Sequence, residues 1–171
     1  QAGCEIFVVD CGWYDTGDWQ YTFGTFEECF DRYPGGLGEV MEEIHANGMK
    51  AGLWLELESF GIRNTKAESL PKDWLFMCHG KPVTDSGRYH LDFRNPQVRE
   101  NASAIVKRVV EKYGLSYLKI DYNLCLCWGT DHNSDSPGDG LLAHNRAYLN
   151  WLEEEMKKYP DVIWENCGSG G

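Results

Sequence analysis

The chain has 171 residues, 42% of them hydrophobic, and a formal charge of -11 at pH 7. That length suffices for one domain with a sizeable core, and the acidic balance argues against nucleic acid or an anionic membrane as partner, because phosphate binding uses basic patches. No stretch approaches the roughly 18 apolar residues of a membrane span.

Strands and helices alternate along the chain. "CEIFVVD" (Cys4 to Asp10) reads as a buried strand. Leu37, Val40, Met41 and Ile44 fall at helical spacing within Leu37 to Asn47, with Gly48 as the stop. "AGLWLELE" (Ala51 to Glu58) is the next strand. Residues 64–80 read as irregular with one short helix, and Arg88 to Phe93 as a short strand. Asn95 caps the clearest helix and Pro96 occupies its first turn. Val98, Ala102, Ile105, Val106, Val109, Val110 and Tyr113 then form a continuous apolar face, and Gly114 ends it. "LSYLKIDYN" follows as a strand, then a polar loop from Gly129 to Gly140, a helix from about Leu141 to Lys158, and a final strand, "DVIWENC" (Asp161 to Cys167). This order, with near-continuous apolar strands, predicts an α/β fold with a parallel sheet wrapped by helices.

Doubly wound and (β/α)8 barrel sheets both fit that order, and the polar residues choose between them. Asp10, Glu56 with Glu58, Asp92, Lys119 with Asp121, and Glu165 to Cys167 all fall at predicted strand C-terminal ends, the rim where a barrel gathers its chemistry. Neither G-x-G-x-x-G nor G-x-x-x-x-G-K-[ST] is present to suggest a nucleotide fold. A full barrel takes about 250 residues, so a partial barrel is expected. The opening on Gln1 and the ending in "ENCGSGG" fit a cut segment.

In "YLKIDYN" the side chains alternate, so Lys119, Asp121 and Asn123 share one face while Leu118, Ile120 and Tyr122 share the other. Converging ammonium, carboxylate and amide groups suit either a reactive site or a structural ion pair. Seven Trp and nine Tyr provide rings that suit sugar faces as well as cores. Seven cysteines at irregular spacing do not make a disulfide framework, and Cys125 and Cys127 form C-x-C rather than C-x-x-C. His45, His79, His90, His132 and His144 lack metal-ligand spacing and read as surface or structural. Neither metal nor cofactor is expected. Reduced thiols and the lack of a visible signal peptide point to a cytoplasmic setting.

Four stretches in order, "FVVDCGWY", "GMKAGLWLELE", "YLKIDYN" and "ENCGSGG", resemble successive strand-end motifs of glycoside hydrolase family 36, the melibiase-type α-galactosidases. The resemblance covers nearly the whole chain and implies strands 2 to 5 of that family's (β/α)8 barrel, so residues 1–171 are expected to be part of one catalytic domain. It implies a retaining exo-α-galactosidase acting on an oligosaccharide or other glycoside through a covalent glycosyl–aspartate intermediate. Such enzymes use two carboxyl groups about 5–5.5 Å apart. By resemblance Asp121 is the nucleophile, and the family's acid/base aspartate would follow shortly after the terminal glycines. An ammonium favours a neighbouring carboxylate's charged form, and strand parity places Lys119 to serve Asp121 in this way.

The resemblance also makes Lys119 a substrate-binding lysine and Asn123 a neighbouring contact. Asp10 corresponds to the first aspartate of the family's "DDGW" segment, which accepts hydrogen bonds from galactose hydroxyls. Cys11 replaces the second, and a thiol lacks a carboxylate's bidentate grip, so a modified or truncated sugar such as N-acetylgalactosamine or an arabinopyranoside is an alternative substrate. Trp54 would stack on the hexose, and Glu56 and Glu58 would hydrogen-bond in the rim. Arg88 resembles, in a looser match, a substrate-binding arginine before the family's next strand-end aspartate, here Asp92, with a surface arginine as the alternative, and Cys167, Gly168 and Ser169 would face the sugar's 2-substituent. Transglycosylation and an inactive sugar-binding domain are the competing readings. The segment alone is expected to be inactive, and a homo-oligomeric parent is compatible with the sequence.

Overall fold

The computed structural model describes residues 3–125 and 128–168. Its strands are β1 (Ile6–Val9), β2 (Lys50–Leu55), β3 (Ser59–Gly61), β4 (Met77–Cys78), β5 (Lys81–Pro82), β6 (Thr84–Asp85), β7 (Arg88–His90), β8 (Tyr117–Ile120) and β9 (Ile163–Asn166). The helices are α1 (Trp19–Thr22), α2 (Leu37–Ala46), α3 (Pro96–Tyr113) and α4 (Pro137–Lys158). Strands β1, β2, β8 and β9 form a four-stranded parallel sheet in that spatial order. Each strand lies beside the one preceding it in the sheet, without the reversal that marks a doubly wound fold. The architecture is a partial barrel, as the strand-end polar groups predict.

The α3 helix is built as its sequence dictates. Asn95 accepts the Gln97 N–H at 2.9 Å, Pro96 takes the first position, and Gly114 ends the helix at φ 59, in left-handed conformation. Its buried face, Val98 to Tyr113, packs on the core formed with Leu53, Leu55, Leu118 and Ile120. On the polar side of that packing Ser103 accepts from Trp151 Nε1 at 2.9 Å and donates to Glu155 at 2.7 Å, which pins α4 to α3. Gly36 precedes α2 without a side chain to cap it, and Glu28 supplies the missing acceptor to the Leu37 N–H at 2.8 Å.

Three local expectations need correction. Helix α4 begins at Pro137, not Leu141, because the Ser136 hydroxyl caps it and Pro137 fits the first turn. The second strand stops at Leu55, and Glu56 to Glu58 turn away from the sheet. The stretch from Arg88 contributes no strand to the parallel sheet, because β7 pairs antiparallel with β3 and β6 in a separate three-stranded sheet. Between these lie two short 3₁₀ turns (Ala67–Ser69 and Lys72–Trp74) and the β4–β5 ladder, where the sequence reads as mostly irregular.

The long segment between β1 and α2 is held by cations. Arg32 donates to the carbonyls of Gly12, Tyr14, Asp15 and Gly17, at 2.6 to 3.1 Å. Arg108 of α3 reaches the carbonyls of Thr25 and Phe26. This clamp sets Trp13, Tyr14, Phe23 and Phe26 around the end of β2, all of them nearly inaccessible to solvent. No helix among the described residues is long and apolar enough to cross a membrane.

Candidate active site

The parity read from "YLKIDYN" holds. Leu118 and Ile120 are buried against the helices, while Lys119 lies on the other face. Lys119 sits in register with Trp54 of β2 and Glu165 of β9, so one row of polar and aromatic groups crosses the sheet. Past the last residue of β8, the Asp121 N–H still bonds the Leu55 carbonyl at 2.8 Å, which carries that alternation into the loop.

A cavity of about 430 Å³ opens at this end of the sheet. Asp10, Cys11, Trp54, Arg88, Asp121 and Asn123, all predicted site residues, line it. Trp19, Gln20 and Ser86 line it too, and no sequence reading selected them. Trp19 and Gln20 open α1, whose cap Asp18 accepts the Gln20 N–H, so "GDWQ" carried a legible helix-start signal. Ser86 arrives through a tight turn at φ 49, before Gly87.

Asp121 is held by donors rather than by a cation. Trp54 Nε1 donates to its Oδ2 at 2.8 Å and the Tyr122 N–H to its Oδ1 at 2.9 Å. The Lys119 ammonium goes elsewhere, to Asp10 Oδ2 at 2.8 Å. This corrects the expected Lys119–Asp121 pairing: the lysine reaches across to the end of β1. Burial opposes ionisation of Asp10, but Lys119 and the Cys11 N–H hold its carboxyl below the ordinary range. Burial and the Asp10 carboxylate push the Cys11 thiol up to about 11, so that side chain is neutral. Cys11 therefore presents a neutral thiol, hydrogen-bonded to Asp10, where the motif it resembles has a second anion.

Trp54 is only 1% exposed, and Tyr14 stacks on it at 5.6 Å and 22°. Its visible work is the hydrogen bond to Asp121. Arg88 is no surface residue: it is 4% exposed, paired with Glu56 at 3.2 Å, and its guanidinium also donates to the Asn123 carbonyl at 3.3 Å. Glu56 and Glu58 are buried rather than at the rim. Glu58 accepts from His144 Nε2 at 2.8 Å, while the Phe93 N–H donates to Nδ1 of the same ring at 3.0 Å.

Lys119, Cys167 and Gly168 are not among the residues that line the cavity, but Cys167 and Gly168 lie against Tyr122 and Asp121. The Tyr122 N–H bonds the Cys167 carbonyl at 3.1 Å, and burial together with Asp121 raises the Cys167 thiol's pKa. Gly168 has φ +115, and a Cβ there would lie 2.7 Å from Asp121 Oδ1 and 2.1 Å from the Tyr122 carbonyl oxygen. Only glycine fits so close to the carboxylate. Ser169 lies outside the described residues.

Among the described residues, two clusters bring together groups able to ligate a metal: Glu58 with His90 and His144, and Cys78 with His79 and Asp131. The first corrects the surface-or-structural reading of the histidines only in degree, since His90 and His144 are wholly buried. A backbone N–H can only donate, so His144 Nδ1 is the acceptor and Nε2 carries the proton given to Glu58. That ring has no lone pair left for an ion. A larger cleft of about 510 Å³ lies at Asp73, Asp92, Arg94 and His132. Its carboxylate is already engaged: Arg94 contacts both Asp92 oxygens, at 2.6 to 3.0 Å.

The fold and site together define a (β/α)8-barrel-type segment whose parallel strand ends bring Asp10 and Asp121 to one cavity, to which a separate antiparallel sheet adds Arg88. A sequence model of the protein family described as Melibiase matches residues 1–171, and the chain belongs to that family. It is 28% identical over 175 residues to alpha-galactosidase Mel36A of Lactobacillus acidophilus, covering all of this chain and 24% of that protein. It is 26% identical over 177 residues to the bifunctional alpha-galactosidase/sucrose kinase AgaSK of Mediterraneibacter gnavus, covering 99% of this chain and 18% of that one. In fold it is similar to a GH36 alpha-galactosidase from Geobacillus stearothermophilus solved in complex with stachyose. There the TM-score is 0.85 at 20% identity, over 99% of this chain and 24% of the other. The chain thus spans about a quarter of the length of the first of these relatives.

Proposed function

We propose that this chain forms part of the catalytic barrel of a retaining exo-α-galactosidase, with Asp121 as nucleophile. The observation that carries the reading is the placement of Asp121: its carboxylate lines the cavity to which the predicted strand-end residues converge, with Trp54 Nε1 fixing one oxygen. The family relatives named above are alpha-galactosidases, which supports hydrolysis of α-galactosides. In the reaction, an Asp121 oxygen attacks the anomeric carbon as the glycosidic bond breaks, leaving a glycosyl ester that water then hydrolyses. A general acid from elsewhere in the complete protein protonates the leaving oxygen. Asp10, held ionised by Lys119, accepts hydrogen bonds from sugar hydroxyls, and Lys119 and Arg88 donate them.

The test is to trap the complete protein with a fluorinated galactosyl inhibitor and locate the label by peptide mass spectrometry. A label on the peptide bearing Asp121 is expected, and a label on any other carboxylate refutes the assignment. The neutral thiol of Cys11 in the cavity wall favours a second reading of the substrate, a galactose modified or shortened relative to the hexose. Competition between aryl galactoside, N-acetylgalactosaminide and arabinopyranoside decides between them.

A further inference from the structure

Glu56 is 0% exposed, yet both of its oxygens are engaged, and two of its three partners, Arg88 and Asn123, line the cavity. Ser59 Oγ donates to Oε1 at 2.5 Å and Arg88 Nη1 to the same oxygen at 3.2 Å. Asn123 Nδ2 donates to Oε2 at 3.0 Å. These three donors come from β3, β7 and the loop after β8, so one carboxylate ties three separate segments together. Burial pushes the Glu56 carboxyl up, against the pull of Ser59, Arg88 and Asn123.

We propose that Glu56 is a positioning residue that fixes which end of the Asn123 amide, and which face of the Arg88 guanidinium, meets the sugar. The inference rests on the glycosidase reading given above. The Arg88 pairing at Oε1 favours the ionised carboxylate, whose oxygens can only accept, so Asn123 must turn its NH₂ group toward Oε2, and its Oδ1 is the end left for the ligand. The cavity then offers an acceptor at this point and selects a sugar hydroxyl that donates. Arg88, whose Nη1 is held by Glu56 and by the Asn123 carbonyl, is fixed in the same act. Neither group is oriented by its own strand; the buried carboxylate between them orients both.

The Glu56→Gln variant tests this, because glutamine offers one acceptor and one donor where glutamate has two acceptors. Two donors meet Oε1, so the glutamine oxygen takes that place and its NH₂ faces Asn123. Asn123 must then flip and present NH₂ to the cavity. In the complete protein, galactose binding is expected to weaken by about tenfold or more, the cost of a mismatched buried polar pair. Adding Asn123→Asp should restore most of that affinity, since an aspartate accepts from the introduced glutamine amide and still offers an acceptor to the ligand. A merely structural role would not produce that rescue. Glu56→Gln binding within about twofold of the wild type, or a double variant no better than Glu56→Gln alone, overturns the proposal. Should Glu56→Gln fail to fold, Ser59→Ala takes its place in a double-mutant cycle with Asn123→Ala. Non-additive losses in galactose affinity support the proposal and additive ones overturn it. Wild-type protein that neither binds galactose nor cleaves any α-galactoside overturns the glycosidase reading, and this inference with it.

Discussion

Replacing Trp54 with phenylalanine isolates the contact that holds the proposed nucleophile. The substitution keeps an aromatic ring against Tyr14 but removes the N–H that donates to Asp121 Oδ2 at 2.8 Å. A hydrogen bond to a charged group contributes about 1.5–3 kcal/mol, and about 1.4 kcal/mol corresponds to tenfold in rate. The kcat/KM of the complete protein on an aryl α-galactoside is therefore expected to fall by about 10- to 100-fold. The smaller ring also leaves space among Trp19, Phe23 and Phe26, whose centroids lie 6.4 Å from that of Trp54. Stability falls by about 1–2 kcal/mol on that account, read as a lower Tm. Phe26→Leu serves as the control, because it loosens the same aromatic cluster without touching the carboxylate. Trp54→Phe activity within about twofold of wild type, or an equal loss in Phe26→Leu, refutes the reasoning.

Three further outcomes rest on the same geometry. Asp121→Ala abolishes hydrolysis, and azide restores part of it by attacking from the vacated side; retained activity ends the nucleophile assignment. Gly168→Ala forces a Cβ against the Tyr122 carbonyl and Asp121 Oδ1, so activity falls by about 100-fold or more, measured as kcat/KM, with an accompanying drop in Tm. Burial opposes ionisation of Asp92, but the Arg94 guanidinium and backbone N–H hold its carboxyl down at about 2. Because the folded value is depressed from 3.8, the stabilisation is complete above about pH 4 and is lost as the pH falls through about 2. It amounts to about 2 kcal/mol at roughly 1.4 kcal/mol per pH unit, and thermal scans of wild type and Asp92→Asn should converge toward pH 2. Curves that stay parallel across that range count against it.

Much of this was legible in the chain because strand parity and helix periodicity are local. The face shared by Lys119, Asp121 and Asn123 follows from counting by twos, and the buried face of α3 from counting by threes and fours. Partnership was not legible in that way. Lys119 and Asp121 are neighbours in sequence, yet the ammonium pairs with Asp10, at the end of another strand 109 residues away. Arg88 was ambiguous for the same reason: nothing around "GRYH" announces that a carboxylate from β2's end will bury it. Glu56 and Glu58 looked like rim groups because a charged residue at a strand end is ordinarily wet. Only the assembled sheets show that each already has its donors.

The antiparallel excursion that carries Arg88 has a consequence of its own. Asp121, the proposed nucleophile, and its indole clamp hang from the parallel sheet, whereas this arginine is delivered by β7, from a separate ladder inserted between β2 and α3. The proposed chemistry and the proposed grip thus rest on two scaffolds joined at the Glu56 carboxylate. Insertions or exchanges in the hairpins of residues 59–90 can reshape what the cavity admits while the strands bearing Asp121 keep their register, so substrate range and turnover are open to change one at a time.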